Sequence, residues 1–277
     1  MDTYHILNFH EIFTENAFCL SQRLGIELVK EFSPQQGHTY IIFGAHNQAS
    51  SLYSIQVSNP IFKYIIINGE PPQSDILRNK YYITLMQNNM VFDYHELSTN
   101  YLKTLGIRVF SKYIFDFPQL KSSTDRDIDI LFVGGKNERR ETIYKKLKDT
   151  YPAKKIEFHM DWKHVIHDDL TKLLHRAKIV LNIPYYESNI LETHRIHKAL
   201  SCGCEVVSMY SGHEPTDKFY ADYIHFTHDF FKYFDTKEYT MHVVKHKFSY
   251  NHLVGALSHN LTHIKWLLEE LIKLKKK

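Results

Sequence analysis

The sequence has few cysteines and no recognisable metal-binding spacing. Only three cysteines, Cys19, Cys202 and Cys204, occur among its 277 residues. A small, odd number argues against a disulfide framework and favours a reducing compartment. Cys202 and Cys204 flank Gly203, but no second cysteine pair accompanies them, so two small buried residues beside a turn are the better interpretation. The 19 histidines are scattered, without an H-E-x-x-H spacing, and we therefore expect no metal site.

The sequence also lacks the signals of membrane, secreted and nucleic-acid-binding proteins. No apolar run approaches the roughly 18 residues that a membrane-spanning helix needs. The first residues have neither the basic nor the apolar region of a signal peptide. The formal net charge of +3 is too small to indicate a nucleic-acid partner. We therefore expect a cytoplasmic protein without a transmembrane segment and without a nucleic-acid partner.

Bulky apolar residues are abundant: 43% of the residues are hydrophobic and 14% are aromatic. The length suits two domains of about 100–150 residues each. In both halves, short apolar runs such as Tyr64–Ile67 and Ile128–Val133 alternate with amphipathic segments. This alternation predicts an α/β fold in which helices cover both faces of parallel sheets.

The composition changes between Phe117 and Asp127, where Pro118 is followed by short polar residues. We place a linker there and predict an N-terminal domain at 1–117 and a C-terminal domain at 127–250. Leucines and isoleucines spaced by three and four residues over His252–Lys275 predict a terminal helix within 251–277, which would pack back on the N-terminal domain. The predicted architecture is two Rossmann-like, doubly wound domains facing a cleft, with ligands beyond the carboxyl ends of the strands.

A first candidate site follows the predicted strand Ile128–Val133. Gly134 and Gly135 come next and lead into a predicted helix that carries Arg139 and Arg140. Glycines allow a phosphate to approach the backbone, a helix start offers free N–H groups, and arginine supplies charged donors. The pattern therefore indicates a phosphate site, although a simple turn with arginines on a solvated helix face gives the same pattern.

A second candidate site follows the predicted strand that ends at Ile183. It begins with a polar, aromatic loop and continues into a helix predicted from Ile190 to Ser201. Glu192 and Arg195 are three residues apart and are expected on one helix face. Such a carboxylate could accept both ribose hydroxyls, while the arginine holds a diphosphate or orients the carboxylate. The alternative is an ordinary ion pair within the helix, worth about 0.2–0.5 kcal/mol.

The order and spacing of these motifs resemble GT-B glycosyltransferases, in particular the bacterial and viral sugar transferases of the family-1-like group. In the second half the resemblance rests on the segments 129–140, 177–182, 192–195 and 199–208. In the first half it rests on Asn68-Gly69-Glu70 after one strand and on the segment from Asp93 to Ser98 after the next.

The resemblance implies a glycosyltransferase that moves a sugar from a nucleotide-diphosphate sugar to a glycan or another hydroxyl acceptor, without a further cofactor. It places the donor in the C-terminal half and the acceptor in the N-terminal half. Trp162 would stack on the nucleotide base, unless it is simply packed. The residues implied in donor binding are Gly134, Gly135, Arg139, Arg140, Asp161, Trp162, Tyr185, Tyr186, Glu187, Glu192 and Arg195.

The stereochemical outcome is expected to be inversion. Retaining members of the group usually have two glutamates eight positions apart, whereas Glu187 and Glu192 are five apart. An inverting transferase needs a general base for the acceptor hydroxyl, and in this group the base comes from the N-terminal half. The candidates that follow predicted strands there are His10, Glu11, Glu15 and Glu70. Glu15 is also explained as a carboxylate at a helix start, so His10 and Glu70 are the stronger candidates.

Asp127-Ile128-Asp129 resembles the metal-binding D-x-D motif of GT-A transferases, but it precedes its strand instead of following it. We therefore expect no metal requirement. Two other functions fit the same sequence. One is a non-catalytic nucleotide- or sugar-binding protein, that is, a degenerate transferase. The other is a nucleotide-sugar epimerase, which would need no acceptor.

Overall fold

The computed structural model describes residues 3–111, 117–120, 125–161, 165–186, 190–235 and 249–257. These residues form two compact units. Described residues up to 111, together with 255–257, belong to the first unit, and those between Phe117 and Val254 belong to the second.

The first unit is a parallel sheet with helices. Its strands are β1 (Thr3–Asn8), β2 (Glu27–Leu28), β3 (His38–Phe43), β4 (Lys63–Asn68), β5 (Met90–Asp93) and β6 (Val109–Ser111). Its α-helices are α1 (Thr14–Leu24), α2 (Ala49–Ser58), α3 (Lys80–Gln87) and α4 (Glu96–Thr104), and short 3-10 turns cover Glu11–Phe13, Ala45–Gln48 and Asp75–Arg78. The strand order is β2-β1-β3-β4-β5-β6, and every hydrogen-bonded pair is parallel.

The second unit repeats this plan. Its strands are β7 (Ile128–Val133), β8 (Ile156–His159), β9 (Ala177–Asn182), β10 (Glu205–Met209) and β11 (His225–Thr227). Its helices are α5 (Glu138–Thr150), α6 (His167–Arg176), α7 (Thr193–Ser201), α8 (Glu214–Tyr220) and α9 (Phe230–Asp235). The order is β11-β10-β9-β7-β8, again with parallel pairing throughout.

The middle residues of the central strands are apolar because both faces of each sheet are covered. Ile42, Ile66 and Val91 lie side by side on β3, β4 and β5 and are fully buried. In the second sheet, Leu181 on β9 and Val207 on β10 are fully buried neighbours. Continuous apolar strands of this kind are typical of parallel sheets.

Each sheet has one topological switch point, where successive connections leave in opposite directions. In the first unit it lies between β1 and β3, and in the second between β7 and β9. In open α/β sheets, ligands bind outside the carboxyl ends of the strands at such a point. A ligand site is therefore expected in the segments that follow β1, β3, β7 and β9.

The prediction of an α/β fold with two Rossmann-like units is confirmed. The helix predicted from Ile190 was wrong at its start, because α7 begins at Thr193 and Ile190 and Leu191 are buried ahead of it. The sequence analysis also missed α8, β11 and α9, which are short. In α8, Pro215 lies in the first turn, where its missing N–H costs nothing.

The predicted domain limits at 117, 127 and 250 stay predictions. Residues 250–257 are helical. The remainder of the predicted terminal helix lies outside the described residues, and its packing against the N-terminal domain stays a prediction.

We expect Ile66→Ala to lower the free energy of unfolding by about 2–5 kcal/mol, because it leaves a cavity in the centre of the first sheet. Chemical denaturation measures this change. Val57→Ala on α2 is the control, because Val57 is 59% exposed and its truncation should cost less than about 0.5 kcal/mol. Equal losses in the two variants would contradict the buried position of Ile66.

Candidate functional site

The two predicted donor segments come together at the switch point of the second unit. Gly134 and Gly135 follow β7, and the loop from Ile183 onward follows β9, its neighbour in the sheet. The helix α5 begins immediately after the first segment, and α7 begins after the second. Glycines, arginines and a glutamate that are far apart in sequence therefore meet at one edge of the sheet.

Gly134 is required because a side chain would not fit. A Cβ atom at this position would lie 2.7 Å from Nη2 of Arg195 and 2.8 Å from the Phe132 ring. Gly135 has more room, since its Cβ would lie 3.3 Å from the Tyr185 ring. The backbone N–H of Gly134 donates to the His159 carbonyl at 3.1 Å. The diglycine thus brings the backbone against charged and aromatic side chains.

Arg140 lies inside this corner, with only 1% of its surface exposed. Its Nε donates to the Ile183 carbonyl at 3.1 Å, and its Nη1 donates to the Gly135 carbonyl at 2.7 Å. Its Nη2 donates to Oε1 of Glu192 at 3.0 Å. Burial is the main cause that lowers the pKa of Arg140, to about 10, and the nearby Arg195 adds to it. The guanidinium is therefore still charged at neutral pH and ties the two loops together.

Arg195 approaches the same carboxylate from the other side. Its Nη1 forms an ion pair with Oε2 of Glu192 and also donates to Oδ1 of the buried Asn182 at 2.8 Å. Its Nε donates to the Val133 carbonyl at 2.9 Å. Both Arg140 and Arg195 lie over the ring of Phe132, with their Cζ atoms 4.8 and 5.0 Å from its centroid. Charge and ring contacts together fix the positions of the two guanidinium groups.

Glu192 is the point where these contacts converge. Its Oε1 accepts from Arg140 and from the backbone N–H of Tyr185 at 2.8 Å, and its Oε2 accepts from Arg195. Its side chain keeps 26% of its surface exposed. Since a carboxylate offers about four lone-pair sites, Glu192 retains capacity to accept from a further hydroxyl group. It precedes α7 instead of lying within it, so its pairing with Arg195 depends on the loop geometry.

The aromatic loop after β9 is anchored to the start of α5. Asn137 caps this helix by accepting from the N–H of Arg140 at 2.9 Å, and its Nδ2 donates to the Tyr185 carbonyl at 2.9 Å. Arg139 donates to the carbonyls of Pro184 and Tyr186. The rings of Tyr185 and Tyr186 pack edge to face, 5.0 Å apart, and Tyr185 is 44% exposed. The loop therefore presents a fixed aromatic surface beside Glu192.

The remaining predicted donor residues lie apart from this cluster or outside the described residues. Asp161 is exposed just beyond β8. Trp162 and Glu187 lie outside the described residues, and their predicted roles stay predictions.

The two aspartates of the D-x-D motif form ion pairs at the amino end of β7. Asp127 accepts from Nε and Nη2 of Arg176 at 2.8 and 2.7 Å, and these bonds hold the pKa of its carboxyl well below the usual range. Asp129 accepts from Nζ of Lys178 at 2.7 Å. Among the described residues, no group of three or more histidine, cysteine, aspartate or glutamate side chains is arranged to hold a metal ion.

In the first unit, a second polar cluster lies beyond the carboxyl ends of β1, β3 and β4. It contains His10, His46 and Glu70, each of which follows one of these strands. The imidazole rings of His10 and His46 are 5.5 Å apart, and Nδ1 of His46 lies 3.9 Å from Oε1 of Glu70. The topology thus brings together the two stronger base candidates, with a histidine that the sequence analysis did not select.

Close packing holds His10 against the turn after β3. Gly44 has a φ of +65°, and a Cβ atom there would lie 2.5 Å from the Cβ of His10. The Nδ1 of His10 accepts from the backbone N–H of Ile12 at 3.3 Å. A neutral imidazole that accepts at Nδ1 carries its hydrogen on Nε2. Burial lowers the pKa of His10 and of His46, so both rings are neutral at pH 7.

Glu70 is held in a largely buried position. Its Oε2 accepts from the hydroxyl of Ser74 at 2.8 Å, and its side chain is 19% exposed. Burial raises the pKa of Glu70, while the Ser74 hydrogen bond acts in the opposite direction. A carboxyl group with a raised pKa is better matched to proton transfer near neutral pH than an ordinary glutamate.

The other two predicted bases lie at helix starts. Glu11 is exposed in the first turn of the 3-10 helix, and Glu15 is partly exposed in the first turn of α1. The helix dipole stabilises a negative side chain at the start of α1, which gives Glu15 a structural explanation. The predicted catalytic roles of Glu11 and Glu15 stay predictions.

His46 was not selected from the sequence, and Asn68 and Asp93 were named only as part of the resemblance, without a role of their own. A usable signal was present, because each comes at or just after the end of an apolar run that forms a central strand. The carboxyl ends of parallel strands lie at one edge of the sheet. Polar residues that follow different strands are therefore expected to meet at that edge.

No protein-family model and no curated protein matches the sequence. Solved structures match at low identity. An α,α-trehalose-phosphate synthase (UDP-forming) from Burkholderia vietnamiensis is 8% identical with a TM-score of 0.52, and the match covers 94% of this chain and 76% of that chain. A chain of the GtfA/B complex is 10% identical with a TM-score of 0.45, and the match covers 92% of this chain and 59% of that chain.

The present chain therefore spans less than two thirds of the length of the GtfA/B complex chain. At 8% identity, the likeness to the synthase concerns the fold. Within the described residues, no helix is both long enough and apolar enough to span a bilayer.

We expect Gly134→Ala to lower the free energy of unfolding by about 1–3 kcal/mol, because its methyl group would overlap Arg195 and the Phe132 ring. Gly255→Ala is the matched control, since a Cβ at Gly255 meets no atom within 4 Å. A helical glycine replaced by alanine should be neutral or stabilising by up to about 1 kcal/mol. Thermal and urea unfolding of both variants check this, and a neutral Gly134→Ala would show that the corner has room to spare.

Proposed function

We propose that the chain is a glycosyltransferase that moves a sugar from a nucleotide-diphosphate sugar to a hydroxyl group of a glycan or similar acceptor. The observation that carries the proposal is the carboxylate of Glu192, held between Arg140 and Arg195 at the switch point of the second unit. The fold-level likeness to a UDP-forming synthase supports a nucleoside diphosphate as the ligand.

In this proposal Glu192 accepts a hydrogen bond from one ribose hydroxyl of the donor. Two arginines and the N–H of Tyr185 hold the carboxylate in one orientation, which lowers the entropic cost of binding. Arg140 acts through Glu192, since its donors are directed at protein carbonyls and at this carboxylate. The turn at Gly134 and Gly135, with Arg139 at the first turn of α5, is the proposed place for the diphosphate.

The first unit supplies the base in this proposal. Inverting transfer requires removal of the acceptor proton as its oxygen attacks the sugar. Glu70 is the better candidate, because the Nε2 of His10 carries a hydrogen while its Nδ1 accepts from Ile12. A carboxylate with a raised pKa can take the proton, whereas an N–H group cannot.

The proposed reaction needs no metal and no further cofactor. The positive charge that a diphosphate leaving group requires would come from arginine side chains near the diglycine turn. Asp127 and Asp129 are occupied by ion pairs with Arg176 and Lys178 at the amino end of β7, away from the carboxyl ends where the cluster lies. The three cysteines are free, which fits the proposed cytoplasmic location.

Donor binding is tested by thermal shift with UDP, GDP and dTDP. A diphosphate at 100 times its Kd should add about 2.7 kcal/mol to the free energy of unfolding. Glu192→Gln should weaken binding, because it removes the charge that both arginines face. The control is Asp127→Asn at the other end of β7, which should bind normally. If none of the three nucleotides shifts the transition of the wild-type protein, the transferase proposal fails.

Catalysis by Glu70 is tested by kinetics with a nucleotide sugar that gives a shift. Glu70→Gln should lower kcat by about 10²–10⁴-fold, because the amide cannot accept a proton. Glu11→Gln, at an exposed neighbouring position, should leave kcat unchanged.

The pH dependence follows from the sign of the Glu70 shift. A base acts when deprotonated, so kcat should fall as the pH drops through the raised pKa of Glu70. The acid limb of the wild-type profile should therefore lie above the ordinary glutamate value of about 4.3. An acid limb at or below the ordinary value would exclude Glu70 as the base.

A further inference from the structure

Two buried polar residues end adjacent strands directly beneath the Glu70 segment. Asn68 is the last residue of β4, Asp93 is the last residue of β5, and the two are paired in the sheet. Both side chains are fully buried. A buried carboxylate costs free energy unless its hydrogen bonds are satisfied, so the contacts of Asp93 indicate what it does.

The partners of Asp93 are hydrogen-bond donors. Its Oδ1 accepts from the backbone N–H of His95 at 2.9 Å, and its Oδ2 accepts from Nδ2 of Asn68 and from Oγ of Ser98, both at 2.7 Å. Burial raises the pKa of Asp93 to about 6 against the effect of these bonds. The group is therefore a carboxylate at neutral pH and acts only as an acceptor.

An acceptor at this position determines the orientation of the Asn68 amide. Nδ2 must face Asp93, so Oδ1 faces the other way, where it accepts from the hydroxyl of the fully buried Tyr82 at 2.9 Å. The Asn68 amide also forms hydrogen bonds with both backbone groups of Glu70, its N–H and its carbonyl. The N–H of Glu70 donates to Oδ1 at 3.3 Å, and Nδ2 donates to the Glu70 carbonyl at 2.9 Å.

At the opposite end of β4 and β5, buried polar contacts are made without a charged side chain. Asn89, just before β5, is buried and pairs with Gln56 through two reciprocal amide bonds of 3.0 and 2.9 Å. It also accepts from the N–H of Tyr64 on β4 at 3.0 Å. A neutral amide pair therefore closes the strands at one end, whereas a buried carboxylate is used at the end that carries Glu70.

We propose that Asn68 and Asp93 are positioning residues, which hold the backbone of Glu70 so that its carboxylate lies where it takes the acceptor proton. This inference rests on the proposed function of Glu70. The chain of contacts runs from Asp93 to the Asn68 amide and from that amide to the backbone on both sides of the Glu70 side chain. Pro71 follows and restricts the conformation of Glu70 further.

The test compares Asp93→Asn and Asn68→Ala with the matched control Asn89→Ala. Asp93→Asn changes the charge with almost no change in volume and allows the Asn68 amide to turn over. We expect kcat to fall about 10- to 100-fold, as for a small misplacement of a reacting group. KM for the donor should stay within about twofold, and the acid limb of the kcat profile should move.

Asn89→Ala should lower the free energy of unfolding, as Asn68→Ala should, but it should keep the wild-type kcat and pH profile. Tyr82→Phe, which removes one donor to the Asn68 carbonyl, serves if Asp93→Asn does not fold, and should lower kcat in the same direction by a smaller factor. The proposal is overturned if kcat is unchanged in Asp93→Asn or Tyr82→Phe, or if losses of kcat merely follow losses of stability in all variants.

The outcomes distinguish this inference from the proposed function. If Glu70→Gln is inactive and Asp93→Asn is fully active, Glu70 remains the base and the positioning role is rejected. If Glu70→Gln retains wild-type activity, the assignment of the base fails and the positioning role falls with it. Thermal shift by the nucleotide diphosphate should be unchanged in Asn68→Ala and Asp93→Asn, since the donor residues belong to the second unit.

Discussion

Parallel strand pairing is the constraint on which the rest of the structure depends. In each described sheet every hydrogen-bonded pair is parallel, so all carboxyl ends lie at one edge and helices must cover both faces. The covered faces explain the continuous apolar strands. The shared edge explains why Glu192 meets Arg140, and why His10, His46 and Glu70 meet although they follow three different strands. Both clusters lie at the point where the strand order reverses.

Each unit contains a charged side chain that is buried near its polar cluster and satisfied by its neighbours. Arg140 is buried against carbonyls and Glu192, and Asp93 is buried against neutral donors that include Asn68. Buried charges of this kind contribute little net stability, because desolvation offsets the attraction. They do specify orientation, since an acceptor-only carboxylate or a donor-only guanidinium admits one arrangement of the groups around it. In the proposed function, these charges orient the residues that contact substrate.

Sequence patterns predicted the strands other than β11 and the glycine turn, and they predicted fewer of the side-chain partners. The strand Ile128–Val133 was predicted with its observed bounds, because five of its six residues are apolar. The resemblance implied that Arg140 contacts phosphate. The role proposed for Arg140 is different because its side chain is buried beside Gly135, and local sequence spacing does not reveal burial. The pairing of Asn68 with Asp93 was also missed, because the two residues are 25 positions apart and meet only through the register of β4 and β5.

The sequence by itself determined the α/β class and the polar residues available at the ends of its strands, because apolar runs and glycine turns are local and leave a periodic signal. The tertiary structure alone decided which of those residues are neighbours. It also decided that Glu192 precedes its helix, that His10 accepts at Nδ1, and that Asp93 is buried among hydrogen-bond donors. The physical reason is that neighbours at a sheet edge are set by strand order and register, which depend on contacts between residues distant in the chain.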